Sequence, residues 1–231
     1  MNFNNKLISG LLIKRYKRFF VDVKLNNKIV TAHCPNTGSM SGLLKNGNRV
    51  WLSKSDNPNR KLKYTLEIIE VNNSKVGINT HSTNKIVLQA LQNNFFKEFN
   101  NIVEIRPETK FGSNTRFDFL IINNNTKIFI EVKNVTLSRK KKVAEFPDAI
   151  TTRGLKHINE LIKASKKGYE IFIIFIIQRD DCNLFSIAED IDTSYAEAIR
   201  AAFKKKLKII CYDCKFSVKG IKLNKKIKIK I

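Results

Sequence analysis

The longest apolar run in the chain, IFIIFII at 171–177, constrains the fold more than any other segment. It is far shorter than the ~20 residues that a membrane-spanning helix needs. A run of this kind, without alternating polar residues, is typical of a strand that is covered on both faces. Residues 152–167 and 193–206 have helical spacing. Thr193 or Ser194 is expected to cap the second of these helices.

The other elements of this half complete the order α-β-β-β-α-β-α-β, which predicts a mixed sheet flanked by helices. The first helix is expected over 84–99, with Asn84 as its N-cap. The Lys-rich segment 219–231 alternates like an edge strand, with lysines that oppose edge pairing. Residues 138–149 are rich in charge and are expected to form a loop. The remaining strands are predicted over 102–111, 115–122, 127–133 and 207–213.

Residues 7–80 follow a different pattern, with about five short strands, turn-rich connections and no long helix. The first of these strand-like runs covers 11–25 without an obvious break. About five short strands suggest a small OB-like barrel. The pattern changes near residue 82. We therefore predict an α+β chain in which residues 1–82 form an OB-like β-barrel and residues 83–231 form a mixed-sheet α/β domain.

The chain carries 43 Lys and Arg residues against 20 Asp and Glu, a formal charge of +23. Such a field favours polyanions, with nucleic acid as the first candidate and an anionic membrane surface as the second. Abundant Lys, Asn and Ile also fit compositional drift, which explains part of the charge, whereas the ten arginines are harder to explain that way. No secretory signal is visible. We expect a cytoplasmic protein with no membrane partner.

The four cysteines include one C-x-x-C pair, Cys211 and Cys214. Such a pair could be half of a zinc site or a redox centre. The sequence has no second pair of ligands with zinc spacing and no thioredoxin-like context around the motif. We therefore expect ordinary reduced thiols.

Three chemically active side chains fall on two consecutive predicted strands. Asp118 lies in the first strand, and Glu131 and Lys133 lie two positions apart in the next. Because side chains alternate along a strand, Glu131 and Lys133 must share a face, with Val132 turned into the core. A hairpin through residues 123–125 would bring Asp118 alongside them.

The chemistry of this group suits a phosphodiester substrate. Two carboxylates can hold a divalent cation through hard oxygen ligands, and a lysine can stabilise charge on a phosphate or orient the attacking water. The alternative is an exposed cross-strand ion pair, which contributes little. The apolar flanks favour a site on a strand that packs against a core: Phe117, Phe119, Ile128 and Ile130. The pattern indicates a Mg²⁺ site, in which Mn²⁺ could substitute, acting on nucleic acid.

Several basic residues stand where they could contact nucleic-acid phosphates. Basic and aromatic residues are mixed over 15–20, as on the ligand-binding faces of OB barrels. On the helix at 152–167, Arg153, Lys156 and His157 share a face, and we assign His157 to a structural role. A solvated surface is the alternative for the basic residues. The predicted contacts are Arg15, Lys17, Arg18, Arg60, Lys61, Arg153 and Lys156.

The element order, with Asp118 on the second strand of the C-terminal half and Glu131-x-Lys133 on the third, resembles the core of the PD-(D/E)XK nuclease superfamily. Nearly the whole chain is also similar to the sugar fermentation stimulation protein family. The similarity is carried by LIKRYKRFFVDV, HCPNTGSM, RKLKYTLE, GINTHSTN, RFDFL, IEVKNVTL and FPDAITTRGLKHINEL. That family is described as DNA-binding and is associated with regulation of sugar use in bacteria, such as maltose metabolism. It is pictured as an OB-like domain joined to a nuclease-like domain. The resemblance therefore implies a bacterial cytoplasmic protein that could associate with the nucleoid.

The resemblance implies roles for individual residues. Asp118 and Glu131 would be the metal-binding acids, and Lys133 would complete the catalytic set of Asp118, Glu131 and Lys133. The block ETKFGSNTRFDF also places Glu108 as a further metal-binding acid.

The resemblance also concerns residues beside the site and the identity of the third acid. Arg116 would lie beside the site and join the nucleic-acid contacts. Thr115 stands where relatives have serine, which preserves the hydroxyl group. Glu98 and Glu104 are alternatives to the third acid, because superfamily members differ in its position.

Two functions follow as the leading hypotheses. The first is a DNA-binding protein with low sequence specificity that regulates sugar metabolism, with RNA as an alternative ligand. The second is a Mg²⁺-dependent nuclease that acts on DNA or RNA. An adaptor without a nucleic-acid role is a third and weaker hypothesis. The sequence leaves the oligomeric state open, including a homodimer.

Overall fold

The protein is described by a computed structural model over residues 1–217 and 219–231. Its first part is a small barrel whose strand order is β3-β2-β1-β4-β5-β6, closed by a parallel pairing of β3 with β5. Inward-facing residues of these strands, such as Leu12, Val21 and Val23, form a separate core. The predicted OB-like barrel is confirmed. The strands are β1 (Ile8–Tyr16), β2 (Phe20–Leu25), β3 (Lys28–His33), β4 (Arg49–Lys54), β5 (Tyr64–Val71) and β6 (Ser74–Gly77).

The single strand-like run predicted over 11–25 is wrong, because it is a hairpin of β1 and β2. The chain turns at Lys17 and Arg18, whose φ angles of 46° and 61° lie in the left-handed region. Neither residue type favours that conformation, so the sequence gives no turn signal there.

The second part is built on a mixed sheet of order β15-β14-β12-β9-β8-β7. Strand β12 pairs in parallel with both β9 and β14, and the remaining neighbours are antiparallel. The predicted mixed sheet is therefore confirmed. Its strands are β7 (Ile102–Phe111), β8 (Thr115–Asn123), β9 (Lys127–Val135), β12 (Glu170–Ile177), β14 (Lys208–Ser217) and β15 (Gly220–Lys226).

Helices cover both faces of this sheet, as the apolar run predicts. Helix α1 (His81–Gln92) packs on one face, and α2 (Thr152–Lys166) and α3 (Thr193–Lys205) pack on the other. Residues of β12 enter the two clusters alternately, with Ile173 on the α2 side and Ile174 on the α1 side. Every residue from 171 to 177 is buried.

The helix starts differ from the predicted ones. Helix α1 begins at His81, preceded by Thr80, so Asn84 lies in its first turn and is not the cap. Helix α3 is capped by Asp192, whose carboxylate accepts a hydrogen bond from Tyr195 N at 3.0 Å, and not by Thr193 or Ser194. The cap of α3 lies just before the predicted start, whereas α1 begins three residues before the predicted 84 and ends at Gln92, well before the predicted 99.

A smaller sheet of order β10-β11-β13-β16 was not predicted. The segment 138–149, expected as a loop, contributes to β10 (Leu137–Lys140) and β11 (Val143–Phe146). Strand β13 (Leu184–Ile187) pairs in parallel with both β11 and β16 (Lys228–Lys230). The Lys-rich end is therefore two strands, β15 and β16, and each lies at the edge of a sheet.

The two parts meet at Gln178, just after β12. Its carbonyl accepts the backbone N–H of Gly77, the last residue of β6, at 2.8 Å. Its side-chain amide donates to Thr83 Oγ1 on α1 at 3.0 Å and to Asn134 Oδ1 on β9 at 2.7 Å. Within the described residues, no helix has the length and apolar character needed to cross a membrane.

Candidate active site

Strands β8 and β9 separate at the point where Asp118 lies. Their ladder ends at the pair Phe119–Ile130. Beyond it, Asp118 Oδ2 accepts the backbone N–H of Val132 at 2.7 Å, so the carboxylate occupies the donor that strand pairing would otherwise use. Phe117 and Phe119 are both buried, but on opposite faces of the sheet, so strict alternation breaks at Asp118. The Asp118 carboxylate therefore lies in the gap between β8 and β9, next to the backbone of Val132.

Glu131 and Lys133 lie on the α2 side of β9, and Val132 points to the other side. Lys133 Nζ donates to Glu131 Oε1 at 2.7 Å. Glu131 is only 3% exposed, so this is a desolvated ion pair and not a solvated surface contact. Glu131 and Lys133 therefore lie on the same face of β9, as their spacing predicts.

Two helices add polar side chains to the strand residues. Asn84 on α1 donates its amide to Asp118 Oδ1 at 2.8 Å. His157 on α2 is buried, and its Nδ1 donates to Glu131 Oε1. The group thus combines two acids, one lysine, one histidine and one amide, which come from both faces of the sheet.

The two carboxylates respond differently to this environment. Burial raises the pKa of Asp118 to about 6, and the nearby Glu131 charge adds to that rise against the hydrogen bonds from Val132 and Asn84. Burial also acts to raise the pKa of Glu131, but Lys133 and His157 outweigh it, and the pKa is lowered. Glu131 is therefore ionised more readily than Asp118, as expected when only one of two close acids is in direct contact with a lysine and a histidine.

The two oxygens of Glu131 are not equivalent. Oε1 accepts from both Lys133 and His157, whereas Oε2 is buried and has no hydrogen-bond partner among the described residues. A buried carboxylate oxygen without a donor is an unusual and costly arrangement that calls for a ligand. Together with Asp118, it fits a hard divalent cation.

The third acid predicted for this site is not joined to the first two. Across residues 1–217 and 219–231, no three His, Cys, Asp or Glu side chains form a metal-binding group. The register of β7 places Glu108 opposite Asp118, but Glu108 has a φ of 50° and its exposed side chain lies 4.0 Å from Arg116. Glu104 pairs with Arg106, and Glu98 bonds to Tyr212 and Lys226.

The predicted nucleic-acid contacts fall into two groups. Five are exposed and make no side-chain hydrogen bond among the described residues: Lys17, Arg18, Lys61, Arg116 and Arg153. The other three donate hydrogen bonds within the protein, although Lys156 is also exposed. Lys156 donates to Asn114 O, Arg60 donates to Thr65 Oγ1, and Arg15 donates to the carbonyls of Arg18, Asn36 and Gly38.

A cleft of about 660 Å³ lies between the barrel and the α/β domain. Arg15 and Arg18 line it on the barrel side, and Asn134 and Thr136 line it from the end of β9 that follows Lys133. The cleft therefore connects the barrel surface with the strand that carries the candidate catalytic residues.

Sequence reasoning did not identify the site roles of Asn84, His157 and Tyr195. Tyr195 on α3 is fully buried without a partner for its hydroxyl among the described residues, and burial, together with the Glu131 charge, raises its pKa well above the usual value. His157 stands at apolar helix spacing with Ile158 and Leu161, which is the signal that it is buried. Its partner depends on tertiary packing.

The two thiols of the C-x-x-C pair do not face each other. Cys211 and Cys214 are three residues apart on β14 and belong to clusters on opposite faces of the sheet. Both are buried free thiols, and burial raises the pKa of each.

These features define a class of two-domain protein, an OB barrel followed by a mixed-sheet α/β domain that carries an Asp, Glu and Lys group. Residues 13–78 match a family model described as "SfsA N-terminal OB domain", and residues 81–220 match "Sugar fermentation stimulation protein RE domain". The chain belongs to the sugar fermentation stimulation protein family.

Curated relatives and a solved structure agree with this assignment. The chain is 56% identical over 229 residues to a sugar fermentation stimulation protein homolog of Pelagibacter ubique, with 99% of each chain covered. It is 43% identical over 223 residues to the homolog of Bartonella henselae, covering 96% and 95%. The structure of Pyrococcus furiosus SfsA in complex with Ca²⁺ has the same fold, with a TM-score of 0.90, 24% identity and coverage of 100% and 98%.

Proposed function

We propose that the protein binds DNA with little sequence preference and hydrolyses its phosphodiester bonds with the help of a divalent cation. The observation that carries this proposal is the convergence of Asp118, Glu131 and Lys133, with Glu131 Oε2 left without a donor among the described residues.

Asp118 and Glu131 would hold the cation, Mg²⁺ or Mn²⁺, through their carboxylate oxygens. When bound, the cation supplies Lewis-acid polarisation of a phosphate oxygen and activation of water. Lys133 brings a positive charge to the same face, where it can stabilise charge that develops on the phosphate. A hard cation also agrees with the Ca²⁺ in the archaeal relative of the same fold.

The exposed basic residues support binding through the phosphate backbone. Lys17 and Arg18 form the turn of the barrel hairpin, and Arg153 lies in the first turn of α2, the helix that carries His157. Contacts of this kind position a nucleic acid without reading its bases. Because they release counterions, the affinity for DNA is expected to fall steeply as the salt concentration rises.

Lys133→Ala tests the hydrolytic part. Wild type is expected to cut linear DNA with Mg²⁺ or Mn²⁺ and not with EDTA, and Lys133→Ala is expected to lose at least ~100-fold in rate, as removal of one transition-state donor does elsewhere. Lys127→Ala, an exposed lysine at the start of the same strand, is the matched control and should keep the rate.

The same preparations separate hydrolysis from binding. Mobility shifts in Ca²⁺ should show that all three proteins bind the DNA similarly. Strong binding by a wild type that cuts neither DNA nor RNA with any cation would reject the hydrolytic proposal and leave the binding one. Absence of a shift at low salt would reject DNA binding.

A further inference from the structure

We infer that His157 is a positioning residue that fixes the carboxylate of Glu131 for a cation, an inference that rests on the proposed function of this site. The place of His157 on the apolar face of α2 predicts only a structural role. Its contact with Glu131 gives it a more specific task.

The geometry at Glu131 supports this role. A carboxylate only accepts hydrogen bonds, and both of its donors reach the same oxygen, Oε1, with Lys133 Nζ at 2.7 Å and His157 Nδ1 on that oxygen too. Two donors on one oxygen fix the rotation of the carboxylate plane. Oε2, which has no donor in the described part of the chain, is then held in one direction.

The position of His157 is itself well defined. Helix α2 is capped by Thr151, whose hydroxyl accepts from Gly154 N at 3.0 Å, and Gly154 lies one turn before His157. A side chain at Gly154 would approach the buried Tyr195 ring to 3.1 Å, so α2 packs closely on α3 at this point. The imidazole is therefore held by a rigid helix, as a residue that orients a metal ligand must be.

Without His157, Oε1 would keep only the bond from Lys133, whose side chain is long and flexible. The carboxylate could then turn and present either oxygen. Loss of a group that orients a metal ligand typically weakens metal binding about 10- to 100-fold. The expected defect is in cation affinity and turnover, and not in the binding of DNA.

The test is calorimetric titration of Mn²⁺ into the full-length protein without nucleic acid. His157→Ala is expected to weaken Mn²⁺ affinity about 10- to 100-fold. His157→Asn keeps a nitrogen at the same number of bonds from Cα as Nδ1, and it should restore most of the affinity. Leu161→Ala, which opens a cavity on the same buried face of α2, is the matched control and should keep full affinity.

Turnover gives a second measurement. With DNA as substrate, His157→Ala should lower kcat while KM stays unchanged, and His157→Asn should recover kcat. Equal Mn²⁺ affinity for wild type, His157→Ala and His157→Asn would overturn the inference while leaving the proposed function in place. A wild type that binds no Mn²⁺ would overturn the cation site itself and this inference with it. If wild type binds Mn²⁺ but cuts nothing, the affinities alone decide the role of His157.

Discussion

Asp118 and Glu131 differ in what their surroundings do to the charged form. Glu131 is the more buried, yet its contacts with Lys133 and His157 lower its pKa. Among the described residues, the groups that donate to Asp118 are neutral, Val132 N and the Asn84 amide. The neighbouring Glu131 charge adds to the effect of burial on the pKa of Asp118, and Lys133 opposes it. Ionised Asp118 therefore destabilises the folded protein when no cation is bound.

Replacement of Asp118 by Asn is expected to change how stability depends on pH. The pKa of Asp118 is about 6 in the folded protein against 3.8 as its ordinary value, so between these pH values the folded state binds more protons than the unfolded state. The stability that the protonated Asp118 contributes to the folded protein is thus fully present below pH 3.8 and is lost as the pH rises through about 6. In EDTA, the unfolding free energy of Asp118→Asn minus that of wild type should rise by roughly 2–3 kcal/mol from pH 4 to pH 8.

Urea unfolding of both proteins across this pH range measures the difference. The amide that Asp118→Asn introduces is compatible with the site, because Asn84 can reverse its own amide and accept from the new NH₂ group. A difference that stays constant from pH 4 to pH 8 would show that Asp118 ionises in the folded protein as it does in the unfolded chain.

At the scale of elements, the sequence predicts best where a pattern is long. The apolar run of β12 and the helical spacing of α2 are sufficient to place both elements. Strands β11 and β13 have only four residues each and pair in parallel across about 40 positions of sequence, which no local pattern reveals. The shared face of Glu131 and Lys133 follows from strand alternation, whereas the contact of His157 depends on how α2 packs against β9.

Gly154 on α2 gives a prediction that opposes helix propensity. Alanine is favoured over glycine by about 1 kcal/mol in a helix interior. A Cβ at Gly154 would nevertheless meet the Thr151 side chain at 2.8 Å and the buried Tyr195 ring at 3.1 Å. We expect Gly154→Ala to lower the unfolding free energy by about 1–2 kcal/mol, because overpacking outweighs propensity.

Chemical denaturation measures this change, and Thr152→Ala on the exposed side of the same turn is the control, with an expected change within about 0.5 kcal/mol. A Gly154→Ala protein that is more stable than wild type would mean that α2 does not pack on α3 as closely as described.

At the β1–β2 turn, we expect one double change to raise the stability of the protein and to weaken the salt dependence of its DNA binding. Lys17 and Arg18 both have left-handed φ angles, which Asn and Gly adopt at lower cost. The double change Lys17→Asn and Arg18→Gly is therefore expected to raise the melting temperature. It also removes two exposed charges, so the slope of log affinity for DNA against log salt should become less steep by up to about 2.

Fluorescence anisotropy at several salt concentrations measures that slope. The control removes two charges from a distant site, Lys204→Gln with Lys205→Gln in the last turn of α3. If both double variants lower the slope equally, the barrel turn has no special part in binding.

At the scale of the whole molecule, the barrel and the α/β domain are joined next to β9, the strand that carries Glu131 and Lys133. Gln178 contacts the barrel through Gly77 and the α/β domain through Thr83 and Asn134, and Asn134 directly follows Lys133. Gln178 is fully buried. We therefore expect the two domains to unfold together, although each has its own core.

Gln178→Ala tests this coupling, because it keeps the backbone bond from Gly77 N to the carbonyl of residue 178 and removes only side-chain bonds within the α/β domain. It leaves Thr83 Oγ1 and Asn134 Oδ1 without their amide donor, which is expected to cost about 2–3 kcal/mol. Two probes distinguish the domains, because Trp51, the one tryptophan of the chain, lies in barrel strand β4, and the three helices of the described residues all follow residue 80. Trp51 fluorescence and circular dichroism at 222 nm should give coincident urea curves for wild type. For Gln178→Ala both curves should move together to a lower urea concentration, although the lost hydrogen bonds lie outside the barrel.

Gln92→Ala, an exposed glutamine at the end of α1, should leave both midpoints unchanged. A Gln178→Ala protein in which the circular dichroism midpoint falls while the Trp51 midpoint stays would show that the two domains unfold independently.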